Sequence, residues 1–227
     1  MMAFNISLNY QDEKLKNPSI MDKIDVFEDQ ILYSLFYPAE MLAKQIDQYS
    51  YSNSILMHVL NYFEMIAQYL KGKNSDGQSR VFFNYGLKAI IPGLFDHAEQ
   101  LMAEFDPESP IPPRYSPESN AYVMQKEFAE ENYKLVTKGF YKLGRCGVFH
   151  SSFPKKGFSI TNNPSILMTS GEISGNEMGI VLNPWAMLQH IKAHFLEYIK
   201  SLRREEKPNI ENFEIRFDME WNHIYEN

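Results

Sequence analysis

From Tyr141 to Phe153 the chain reads YKLGRCGVFHSSF, and two side chains in that run suit phosphoryl chemistry. Histidine is the residue type whose intrinsic pKa lies near neutrality, so His150 is a candidate to take or give a proton at cellular pH. Arg145 is permanently charged, and its planar fork can hold a phosphate through two N–H groups. Together they would cleave RNA without a metal. His150 would activate a ribose 2′-hydroxyl or protonate the leaving oxygen, and Arg145 would stabilise charge on the phosphorane-like transition state. The plain alternative is structural: Arg145 pairs with a buried carboxylate, and His150 sits at a helix C-terminus, where a cation is favoured.

Other residues support or compete with that pair. Lys134, Lys138, Lys142 and Arg145 fall within an arc of about 80° at helical spacing. Lys155 and Lys156 follow in the next loop. Lys142, Lys155 and Lys156 are the residues expected to hold flanking phosphates, although a solvated lysine face near a helix C-terminus would look the same. Glu64 lies between Phe63 and Met65, so its carboxylate is expected to point inward and to need a partner, with Arg145 the candidate. Cys146 adjoins Arg145; its thiol is either tuned by that charge or simply a small buried group. His190 and His194 are four residues apart and could share a metal, but no HExxH pattern accompanies them, so no metal site is expected. The chain has no Walker loop, no GxGxxG and no GxSxG, and no cofactor is expected.

These side chains need elements to position them. Apolar residues recur at helical spacing over about 20–48, where Pro38 should kink the chain, and over 53–71. A third stretch, about 79–104, is interrupted by Pro92 and Gly93. The proline-rich run 106–119 reads as an extended surface connector. The fourth helix is long, from about Asn120 to Gly144 or slightly beyond. A fifth runs from Pro184 to Arg204, with Asn183 as its cap. Residues 151–182 read as an irregular insert or small hairpin. The start alternates (Phe4, Ile6, Leu8, Tyr10), as a short strand or docked tail would. In the tail, Phe213, Ile215, Phe217, Met219 and Trp221 alternate with charged residues, which predicts a strand. The expected fold is mainly α: about five helices with a small β appendage near residues 158–182 and 213–221. It is read as a single domain over 1–227, with a core at 20–204 and a β-type tail at 207–227.

Composition bounds the rest. A chain of 227 residues with 44% apolar content can bury a sizeable core. Its net charge of −7 disfavours a surface broadly coated by nucleic acid, while leaving room for a local basic patch. The lone Cys146 fits a reducing cytoplasm. No signal segment and no membrane-length apolar run is read from the sequence.

The spacing Arg145, four residues, His150, at the end of a long helix, resembles the RxxxxH motif of HEPN domains. The wider frame is similar over about 20–204: a Tyr/Phe-rich helix before RCGVFH, a variable insert after it, and a last helix starting near LNPWAML. The resemblance implies a HEPN-like bundle that forms a homodimer, with two motifs in a shared cleft. It implies a metal-independent endoribonuclease acting on RNA in toxin–antitoxin or antiviral defence, under an antitoxin or a defence-complex protein. The alternative is a catalytically silent HEPN-like scaffold that binds a partner protein or nucleotide. Active relatives commonly carry a polar residue after the Arg, where this chain has Cys146. A five-residue offset also turns about 140° around an ideal helix. Either Gly147 loosens or ends the helix, or His150 meets an Arg from a second copy.

Overall fold

The computed structural model describes residues 5–45, 48–174 and 177–221. It is mainly helical, with a three-stranded sheet. The chain divides into two compact units, Met1–Gly86 with Trp185–Asn227, and Leu87–Pro184. Each of the five stretches read from periodicity is helical over most of its described length, but the first and third are divided and a further helix lies at 209–221, so the described helices outnumber the five expected. Among the described residues no helix is long and apolar enough to cross a membrane.

In the first unit, α1 (Ile20–Ile31) begins at a reciprocal cap. The Ser19 hydroxyl accepts from the Asp22 N–H, and the Asp22 carboxylate accepts from the Ser19 N–H. The helix then widens into a π-helical stretch, Leu32–Phe36, and continues as α2 (Tyr37–Ala43). Pro38 lies in the first turn of α2, where its missing N–H does no harm. Upstream, the described part of the start forms a bridge between Asn5 and Gln11 and a 3-10 turn, Asp12–Leu15. Asn9 ties it down by donating from its backbone and side chain to Asp29. Phe4 of the alternating start lies outside the described residues.

Helix α3 (Ser52–Lys71) ends at Gly72, whose left-handed φ of 61° suits glycine. Helix α4 (Ser79–Ile90) presses on α3 so closely that a Cβ at Gly86 would lie 1.9 Å from the Phe63 carbonyl oxygen. The core is aromatic. Phe27 meets Tyr69 at 4.3 Å, Phe213 at 5.4 Å and Phe195 at 5.7 Å between ring centroids.

The second unit contains α5 (Pro92–Ala103), α6 (Asn120–Lys134), a π-helical stretch from Leu135 to Arg145, and α7 (Cys146–Ser151). Ser119 caps α6 by accepting from Tyr122. The connector 106–119 is an exposed, non-helical segment. The insert forms β1 (Phe158–Ile160), β2 (Met168–Ser174) and β3 (Glu177–Leu182). Their order is β1-β3-β2: the β2–β3 hairpin is antiparallel, and β1 joins β3 in parallel with Phe158 opposite Ile180. The β appendage expected at 158–182 is therefore present.

Back in the first unit, α8 (Pro184–Arg203) is followed by a helix where a strand was expected. Residues 213–221 are not β: α9 runs from Asn209 to Trp221, and the remainder of the expected β-type tail, 222–227, lies outside the described residues. The alternating pattern hides a stripe with spacing four. Phe213, Phe217 and Trp221 meet in turn, with centroids 5.6 and 5.7 Å apart, while Ile215 and Met219 are 49% and 41% exposed. Glu214 and Asp218, also four apart, both bond the Lys23 ammonium at 3.1 and 2.7 Å. Two stripes of that spacing satisfy a helix docked on α1 and α3, which a lone strand could not do.

Candidate functional site

The Arg145–His150 segment lies in the second unit, where α6, the π-helical stretch and α7 run on as one continuous helix. Eleven residues of π geometry are unusual, because such turns are mostly single bulges and concentrate at functional sites. Gly144 lies where a Cβ would come within 2.8 Å of the Phe158 ring, so the wide helix and β1 meet through that glycine.

Gly147 does not end the helix. It sits buried inside α7, and the helix stops only at Ser152, whose φ is 62° and whose N–H reaches the Val148 carbonyl at 2.9 Å. The role of Gly147 is close approach: a Cβ there would lie 2.9 Å from the Lys155 nitrogen and 3.2 Å from the Phe153 oxygen. The returning chain is fixed by the Lys155 N–H, which donates to Leu143 at 3.0 Å.

Each candidate side chain has a definite place. Arg145 is half-buried, with its Nε withdrawn from solvent. Its guanidinium carbon lies 5.5 Å from the Tyr141 ring centroid and 5.1 Å from that of Phe149. The rings one turn before and one turn after thus clamp the cation. His150 is exposed in the last turn of α7. Helical geometry from Arg145 through His150 keeps the offset of about 140°, so the two do not share one face of their own helix. Cys146 is a half-buried free thiol.

Lys142 and Lys155 are exposed, and Lys155 packs its stem against Gly147, beside the motif. Lys156 turns away to Glu177, at 2.6 Å. Glu64 belongs to the first unit. As expected it is buried, and its Oε1 accepts from the Ser75 hydroxyl at 2.7 Å. His194, also in the first unit, lies 2.8 Å from the Tyr62 hydroxyl through Nδ1. Burial, helped by the nearby His190, pushes its imidazole down to about 4. Among the described residues no three His, Cys, Asp or Glu side chains converge as a metal site.

Sequence reasoning missed three features of this site. The clamp is written in the chain as Tyr141, Arg145 and Phe149 at spacing four. Phe149 and Phe153 are both exposed beside the motif. No Asp or Glu occurs between Glu131 and Glu172, although the chain as a whole carries −7. That acid-free run holds Lys134, Lys138, Lys142, Arg145, Lys155 and Lys156, a local excess of positive charge in the sequence. No family model, curated protein or solved structure matches the chain.

Proposed function

We propose that this chain is a HEPN-like, metal-independent endoribonuclease that works as a homodimer, with Arg145 of one copy and His150 of the other at each site. The observation that carries this reading is the end of the long helix: an exposed imidazole, five residues beyond a guanidinium clamped between two rings, within a carboxylate-free stretch. The offset of about 140° argues for two copies, because one helix does not turn both groups toward a single phosphodiester.

In this reaction His150 takes the proton from a ribose 2′-hydroxyl, and the freed oxygen attacks the adjacent phosphorus. The P–O5′ bond breaks, the 5′-oxygen takes up a proton, and the products are a 2′,3′-cyclic phosphate and a 5′-hydroxyl. Arg145 neutralises charge on the phosphoryl oxygens in the transition state. The clamp limits the motion of the guanidinium, so little order has to be gained at the moment of reaction. Lys142 and Lys155 hold flanking phosphates, and Lys156 contributes less because Glu177 already engages it. An antitoxin or defence-complex protein controlling the activity follows from the same family resemblance.

The test is cleavage of a mixed pool of labelled RNAs in the presence of a chelator. The reading expects 2′,3′-cyclic ends that vanish with His150→Ala while the fold is unchanged by circular dichroism. Equal, negligible cleavage by both proteins removes the enzyme and leaves the silent scaffold.

A further inference from the structure

The first unit contains a cleft of about 500 Å³, between the end of α1 with its π turn, one face of α3, and the last turns of α9. Its electrostatic centre is Arg216, whose side chain is 12% exposed. The Gln68 side-chain oxygen accepts from Arg216 Nε at 3.0 Å and from Nη2 at 2.7 Å. Arg216 Nη2 also pairs with Glu220, and the guanidinium lies over the Tyr69 ring. Every one of these bonds uses Nε or Nη2. Among the described residues Nη1 has no protein partner, and it keeps contact with solvent. A guanidinium fixed on one edge and open on the other is prepared for a carboxylate.

Beside it, Glu220 is half exposed and pairs with Arg216 through Oε2, which leaves Oε1 for a cation. The cleft therefore presents a fixed positive edge and a negative edge one helical turn apart, with no net charge between them. Its walls are mixed. Asn61 and Ser34 supply polar atoms, while Tyr69, Met65, Ile31 and Trp221 supply aromatic and apolar surface. The volume lies within the range of small-molecule sites, where a few placed polar groups orient an otherwise apolar ligand. A singly charged ligand would meet one attractive edge and one repulsive edge. A compact zwitterion meets two attractive ones.

We infer that this cleft binds a free α-amino acid with an apolar or aromatic side chain: its carboxylate on Arg216 Nη1, its ammonium on Glu220, and its side chain among Tyr69, Met65 and Trp221. Glu220 is the selectivity group, since it is the residue that distinguishes a zwitterion from a plain carboxylate. The site shares no residue with the Arg145–His150 segment, so it stands or falls independently of the ribonuclease reading.

The experiment is calorimetric titration of the full chain with L-phenylalanine, phenethylamine and 3-phenylpropionate. Phenylalanine is expected to bind in the micromolar to millimolar range, and each singly charged analogue at least about tenfold more weakly. Glu220→Gln keeps Arg216 on Gln68 and is expected to reverse the order, favouring 3-phenylpropionate over phenylalanine. Absence of phenylalanine binding at millimolar concentration overturns the assignment. So does equal binding of the three compounds, or an order that Glu220→Gln leaves unchanged.

Discussion

The two units treat their ionisable groups in opposite ways. In the first, Lys23 and Asp29 are buried and His194 is half-buried, and each is answered by a named partner: Glu214 and Asp218, Asn9, and Tyr62. In the second, Lys134, Lys138, Lys142 and Lys155 stand in solvent, and so does His150. In the first unit Lys23 and Arg203 fix helices to one another, the former joining α1 to α9 and the latter α8 to α1. In the second, the ammonium groups of those four lysines face solvent, while Lys156 pairs at the surface with Glu177. The contrast between His194 and His150 is the sharpest form of this. One imidazole is held neutral and bonded inside, whereas the other projects from the last turn of its helix beside exposed Phe149 and Phe153.

The largest effect expected from breaking this contrast is on chemistry. If His150 is the general base proposed, His150→Ala should lower RNA cleavage by about 10²-fold or more, and it should leave thermal stability unchanged because the side chain is exposed and contributes little to packing. Parallel cleavage assays and melting curves check it, and a variant that loses stability without losing activity would reverse the roles assigned to the two units.

His194 should show the opposite behaviour. Its folded-state value is lowered from 6.5 to about 4, so between those values the unfolded chain binds more protons than the folded one. Stability from this group is complete above about pH 6.5 and is lost as pH falls toward 4, amounting to roughly 2–3 kcal/mol. Urea denaturation from pH 7 to 4 measures the slope. His194→Gln should flatten it, and an unchanged slope would assign the loss to other groups.

A smaller effect is expected at Lys23. Its side chain is 9% exposed, but its partners Glu214 and Asp218 are 51% and 36% exposed. Solvent screens their side of the pair, so Lys23→Met should cost only about 1–2 kcal/mol in denaturant titrations. A loss above that would mean that α9 leaves its seat when the lysine is removed. The smallest effect belongs to Lys156→Ala. Its exposed bridge to Glu177 is worth at most about 1 kcal/mol, and RNA affinity should fall less than with Lys155→Ala. Binding isotherms for the two variants side by side decide the ranking.

Much of this was readable in the chain, for identifiable reasons. The five helical stretches announce themselves because each buries one stripe of the 3.6-residue period. The Pro92 interruption carries its own local chemistry, whereas the Ser19 cap went unread. Arg145 and His150 were singled out by residue type and spacing alone. The α9 segment was misread because residues alternating at two are also spaced at four, and only a docking partner for Phe213 and Phe217 decides between the periods. The π-helical stretch before Arg145 left no such mark, since a shift from i−4 to i−5 bonding changes no residue type. The Arg216 cleft was invisible for another reason: it joins residues 30–34, 61–69 and 216–221, which are far apart in the chain.

The central claim is that Arg145 and His150 act from different copies. Mixing Arg145→Ala with His150→Ala, after dissociation and reassembly, tests it directly. A two-fold dimer with sites shared between copies predicts that two inactive proteins recover roughly one quarter of wild-type cleavage, since about half the dimers are mixed and each then has one intact site. No recovery, from variants shown to exchange subunits, would contradict it.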